Sequence, residues 1–134
     1  MYNKKIISQF MDYTIFLLFA TVFLLPLVMI FLGLIWRKNG PKTINSVYGY
    51  RTKRSMASQE AWNFAHIYSG KIFLSVGLIQ LVLTLLLCIY WGGYYKPADS
   101  DFIGQATIAV LSIQTLVFIV IIPIVEFELK KRFS

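Results

Sequence analysis

Three long stretches of this chain have no charged residues at all. Charged residues make up only 14% of the 134 positions, and just six are acidic. None of them falls in Tyr13–Trp36, Ile72–Tyr95 or Phe102–Val125. A helix needs about 20 apolar residues to cross a hydrocarbon core roughly 30 Å thick, so each stretch is long enough to span. Lipid offers no hydrogen-bond partner to a backbone N–H or C=O, so each stretch must pair its own backbone groups as a helix. The pattern predicts an all-α integral membrane protein with three transmembrane helices, at about 13–36, 72–95 and 102–125. At 57% hydrophobic content, residues 1–134 make one membrane domain and leave no room for a separate soluble one.

Other scarcities exclude whole classes of function. The single cysteine, Cys88, lies inside the second apolar stretch and has no intrachain partner, so no disulfide framework exists. The single histidine, His66, has no cysteine or second histidine near it, so no ordinary metal site is expected, nor any cofactor. No nucleophile motif, phosphate-binding glycine loop or paired carboxylates appear, and nothing points to an enzyme. The first stretch lacks the small-residue cleavage pattern of a signal peptide and is longer than the usual apolar core of about 7–15 residues, so it is expected to stay in the mature protein.

The charges that are present sit beside the spans. A net charge of +7 would favour nucleic acid in a soluble protein, but here the membrane accounts for it and no nucleic acid is expected. With three spans, Lys4, Lys5 and Lys96 share one side. Arg37, Lys38, Lys42, Arg51, Lys53, Arg54, Lys71, Lys130, Lys131 and Arg132 share the other. The basic side belongs in the cytoplasm, which predicts an outside amino terminus and a cytoplasmic carboxyl terminus in a bacterial cell membrane. Trp36, Tyr90, Trp91, Tyr94 and Tyr95 fall at span ends, where amphipathic rings anchor at the headgroup level.

The polar segment 37–71 is the least generic part. Asn39-Gly40-Pro41 ends the first helix, since glycine accepts left-handed geometry and proline cannot continue a helix. Ser58 is a good N-cap with Glu60 in the following turn, so a short cytoplasmic helix is expected over Gln59–Gly70, bending at Gly70 or running through it. If it runs through, one stripe carries Trp62, His66, Gly70, Gly77, Gln80, Thr84, Cys88 and Trp91. That stripe is either bundle packing, with glycines and polar residues at helix contacts, or a polar path leading inward. Gly49 supplies freedom for a tight turn. Arg51, with its planar fork of donors, suits a lipid phosphate, the Glu60 carboxylate or the carbonyl end of a helix. Thr52 can tie a turn through its hydroxyl. Lys53 and Arg54 read as a basic cluster on anionic lipid. Trp62 reads as an interfacial wedge, and His66 as a hydrogen-bonding group or a proton-linked switch.

The string GYRTKRSMASQEAWNFAHIYSG, residues 49–70, resembles the SdpI/YfhL family of bacterial membrane proteins. The resemblance is strong from Asn45 to about Leu85 and rests on Gly49, Arg51, Thr52, Ser55, Glu60, Trp62, His66 and Gly70. It implies a motif that binds a ligand or partner, and immunity or tolerance toward a membrane-active peptide. The family's founding member protects its producer against a secreted killing peptide and holds a repressor at the membrane, so a toxin peptide and a cytoplasmic repressor are the implied partners, beside membrane lipids. Two other readings stay open: a small oligomeric transporter, and a lipid-binding accessory protein.

The third span adds an expectation of its own. Its polar residues divide between one face with Gln105 and Ser112 and a nearly opposite one with Thr107 and Gln114. A polar side chain facing lipid at mid-span is costly, so a homo-oligomer is expected to cover one of these faces.

Overall fold

The computed structural model describes residues 2–94 and 100–133 as three helices joined by one irregular segment. Helix α1 is Tyr2–Asn39, α2 is Gln59–Tyr94 and α3 is Ser100–Phe133. No strand occurs among the described residues. Each helix contains a stretch long and apolar enough to cross a membrane: Phe16–Lys38, Gln59–Trp91 and Asp101–Phe133. The connection between α2 and α3, residues 95–99 with Tyr95, Lys96 and Asp99, lies outside the described residues.

The separate short helix expected over Gln59–Gly70 is not a separate element. It is the first third of α2, which continues through Gly70 for 36 residues. At about 1.5 Å per residue α2 is about 54 Å long, well beyond the thickness of the hydrocarbon. Its Gln59–Gly70 portion therefore extends past the apolar stretch that starts at Ile72. Gly70 stays helical because α1 presses against it. A Cβ at Gly70 would lie 2.5 Å from the backbone nitrogen of Arg37, and one at Gly33 would lie 2.5 Å from that of Leu74. These two glycines set the antiparallel register of α1 against α2 and let the backbones approach more closely than any side chain permits.

The apolar core gathers at the motif end of the bundle. Met29 and Trp36 of α1, Ala61, Ala65 and Phe73 of α2, and Ile121, Val125 and Leu129 of α3 form one cluster, joined by Tyr50 from the loop. Phe73 and Phe118 stack across α2 and α3 with ring centroids 5.5 Å apart. Trp36 is not the interfacial anchor its position suggested. It is 7% exposed and packs edge-on against His66, 5.2 Å between centroids. The approach of α2 and the folded loop encloses it. At the other end Tyr90 is exposed, and Trp91 lies 6.4 Å from Phe19.

Candidate functional site

The segment between α1 and α2 is held by side chains that substitute for regular backbone pairing. Asn45 Oδ1 accepts from the N–H groups of Val47 and Tyr48 at 3.0 and 2.9 Å, and its Nδ2 donates to the Thr43 carbonyl. Asparagine does this readily because its side chain imitates a backbone turn. Ser55, fully buried, donates its hydroxyl to the Tyr50 carbonyl at 2.7 Å and accepts from the Thr52 N–H at 2.9 Å. Thr52 Oγ1 in return accepts from the Ser55 N–H at 3.2 Å. The Ser58 hydroxyl accepts from the Ala61 N–H at 3.1 Å, which caps α2.

His66 is the hub of this arrangement. It is 1% exposed, and both ring nitrogens are committed. Nδ1 donates to the Trp62 carbonyl at 2.7 Å, while Nε2 accepts from the Tyr50 N–H at 2.8 Å. A carbonyl only accepts and a backbone N–H only donates, so this pair of bonds fixes a neutral ring protonated on Nδ1. His66 precedes the apolar part of α2, and burial lowers its pKa, an effect that the bond to Trp62 only partly opposes. Gly49 has φ +126°, and a Cβ there would lie 2.5 Å from His66 Nε2. Glycine is thus required twice, by backbone conformation and by space. Trp62 is no surface wedge. It is fully buried, packs against His66 in a tilted arrangement with ring centroids 4.4 Å apart, and donates its indole N–H to the Pro41 carbonyl at 2.7 Å.

Tyr50, which the motif reading passed over, carries the loop to α3. Its hydroxyl donates to the Ile122 carbonyl at 3.1 Å and lies 3.5 Å from Glu126 Oε1. Burial, the Glu126 charge and the hydrogen bond to it together push the phenol well above its ordinary pKa, so it stays a donor. An aromatic residue directly after the Gly49 that the motif requires was the available signal. Arg54 adds an ion pair to Glu126 at 3.1 Å. The pair is partly exposed and adds roughly 0–1 kcal/mol.

Several motif residues point outward. Arg51 and Glu60 are exposed and make no hydrogen bond or ion pair among the described residues. Lys53 is also exposed, with Val47 at 85%, Tyr48 and Ile44 nearby in the loop. On another side, Lys38, Lys42, Asn63 and His66 line a cleft of about 290 Å³. Among the described residues no group of three or more His, Cys, Asp or Glu is placed to hold a metal ion.

A second polar cluster lies deep in the bundle. Gln114 Nε2 donates to the Val22 carbonyl at 3.1 Å and to Thr84 Oγ1 at 3.0 Å, and Gln80 Nε2 reaches the Gln114 carbonyl at 3.5 Å. The reason lies four residues beyond Val22. Pro26 sits inside α1 without an N–H, so the Val22 carbonyl has lost its helical partner. Gln114 supplies the missing donor from another helix. Thr107 and Gln114 both face inward at 3% and 4% exposure, so no neighbouring chain is needed to cover that face. Gln105 and Ser112 are exposed, and Gln105 does not join the cluster.

Residues 42–125 match the SdpI/YfhL protein family. The chain is 47% identical over 60 residues to the uncharacterized protein YfhL of Bacillus subtilis (strain 168), a match covering 45% of this chain and 54% of that protein. The match therefore spans about half the length of that relative. No solved structure matches. The family match covers the locked loop from residue 42, its His66 hub and the second and third spans, and the chain belongs to the SdpI/YfhL family of membrane proteins.

Proposed function

We propose that the protein gives its cell immunity or tolerance toward a membrane-active peptide, using the motif loop as a rigid contact surface on the cytoplasmic side. A cytoplasmic regulator held at that surface is part of the same proposal. The observation that carries it is the division of labour within the motif. Asn45, Gly49, Thr52, Ser55, Trp62, His66 and Gly70 spend their polar groups or their smallness on the fold. Val47, Tyr48, Arg51 and Lys53 remain exposed on the frame so formed. An apolar loop rimmed by cations suits a macromolecular partner with an apolar patch and acidic neighbours. A catalytic site would instead converge free polar groups on one cavity.

Membership of the family supports this reading over transport. So does the burial of Trp62, His66, Gln80 and Thr84 on the stripe along α2, which spend their side chains on packing within the bundle. The cleft bearing Lys38 and Lys42 suits an anionic lipid headgroup, which would seat the loop at the leaflet surface. Sensitive bacterial cells with and without this chain, challenged with secreted membrane-active peptides, test the proposal. Expression should raise survival, and Arg51→Lys should reduce the gain at equal membrane abundance because lysine lacks the planar fork. Equal survival with and without the chain would remove the immunity reading.

A further inference from the structure

The cleft of about 290 Å³ lies where the end of α1, the loop and the first turns of α2 meet, and Lys38, Pro41, Lys42, Asn63, His66 and Ile67 border it. Its side-chain and loop acceptors are spent inside the fold. The Pro41 carbonyl takes the Trp62 indole N–H at 2.7 Å, and the Lys42 carbonyl takes Gln59 Nε2 at 2.7 Å. That carbonyl only accepts, which fixes the Gln59 amide, and the same Nε2 then engages Asn63 Oδ1 at 2.9 Å. Both ring nitrogens of His66 are used. What remains are donors: the ammonium groups of Lys38 and Lys42 and the Nδ2 of Asn63. Neither lysine meets a carboxylate among the described residues. The carbonyl end of α1 brings about half a negative charge to this level, which two full positive charges outweigh. The arrangement suits an anion with several acceptor oxygens.

Depth selects which anion. Lys38 is the last residue of the apolar span of α1, and the uncharged run of α2 starts at Ile72. At a rise of about 1.5 Å per residue, Ile67 lies about 7 Å and Asn63 about 13 Å beyond that start. The headgroup layer is about 5–7 Å thick on each side of the hydrocarbon, so the cleft lies across it and opens at the edge of the water. Apolar side chains continue from the cleft into the hydrocarbon. At about 100° per residue, Leu34 and Phe31 follow Lys38 down α1 and Leu78 follows Ile67 down α2. All three are exposed, so acyl chains have a path that a free phosphate would not use. Lys71, one turn inward of Ile67, is exposed and adds a third cation. Among the described residues no acidic side chain borders the cleft, and Glu60 lies about one turn further out than Asn63. The ammonium of a zwitterionic headgroup would find no carboxylate there.

We propose that the cleft holds the phosphodiester of one anionic phospholipid, bonded by Lys38, Lys42 and Asn63, with its acyl chains along the outside of the α1–α2 seam. Lys38 belongs to α1, Lys42 to the loop and Asn63 to α2, so the bound lipid ties the three together and braces the locked loop. Lipid binding here rests on the headgroup reading of the cleft and is independent of peptide immunity, which cell survival reads separately.

Native mass spectrometry of the purified full chain in detergent micelles, with phosphatidylglycerol or phosphatidylcholine added, tests it. One phosphatidylglycerol should be held several-fold more tightly than phosphatidylcholine. Lys38→Gln combined with Lys42→Gln should remove that preference. Lys53→Gln combined with Lys130→Gln takes the same charge from the same end but outside the cleft, and should keep it. All four lysines are exposed, so lipid-free unfolding midpoints should match the wild type. Added phosphatidylglycerol should raise the midpoint of the wild type and of the Lys53 and Lys130 pair, but not that of the cleft pair. Inorganic phosphate, and glycerophosphoglycerol as the same headgroup without chains, should each fail to displace the lipid. No preference in the wild type, or equal loss in the two pairs, would reduce these lysines to a diffuse basic surface and overturn the proposal. So would a wild-type midpoint that the lipid leaves unchanged. Displacement by inorganic phosphate would overturn it in favour of a free anion.

Discussion

At the scale of single residues, the motif is a set of constraints centred on one imidazole. Gly49→Ala places a methyl group against His66 Nε2 and forces a side chain onto φ +126°. The backbone strain alone costs about 1–3 kcal/mol, so this variant should lower the unfolding midpoint in detergent and expose the loop to protease. Wild-type stability there would mean that the loop adopts another path. His66 gives the loop a pH dependence of known sign. Its folded pKa is lowered, so its contribution is fully present above the ordinary value of about 6.5 and declines as pH falls below it. A proton on Nε2 also breaks the bond from the Tyr50 N–H. Protease cleavage of loop residues 43–53 should rise as pH is lowered from about 7.5 to about 5, a window set by the histidine pKa, and His66→Gln should flatten that response. A pH-independent wild type would show that His66 does not hold the loop.

At the scale of elements, the coupling of Pro26 to Gln114 is the most quantitative feature. Gln114→Leu leaves the Val22 carbonyl and Thr84 without their donor and should destabilise the protein by roughly 1–2 kcal/mol, allowing for the modest value of hydrogen bonds between membrane helices. Pro26→Ala restores an N–H to the Val22 carbonyl, so the same glutamine change should cost less in that background. Denaturation of the four proteins of the cycle in mixed micelles measures the difference, and strict additivity would show that the two sites are independent. This coupling was within reach of the sequence, because a proline inside an apolar run announces an orphaned carbonyl. What the sequence could not supply was the pairing of depths between α1 and α3. The three spans were legible because the bilayer imposes one length on any uncharged run. The continuation of α2 through Gly70 was not, since a glycine alone leaves bend and straight helix nearly equal and the contact with Arg37 decides between them. Trp36 and Trp62 were misread for a related reason. A tryptophan near a span end is anchor or core depending on whether a loop folds back over it, and composition does not record that.

At the scale of the whole molecule, three antiparallel helices place the locked loop and the end of α3 at the same end, joined through Tyr50, Arg54 and Glu126. The three-against-ten division of Lys and Arg predicts that this end lies in the cytoplasm. A cysteine introduced as Ser46→Cys should therefore resist an impermeant reagent in intact cells and react after permeabilisation. Reaction in intact cells would reverse the topology. On the proposed function, the locked frame presents its exposed rim to a partner. Survival under peptide challenge of cells making Val47→Asp, compared with wild type at equal membrane abundance, tests it most directly. Val47 is 85% exposed and makes no contribution to the core, so the variant should fold normally. Survival should fall to that of cells lacking the protein, while survival equal to wild type would contradict a partner-binding rim.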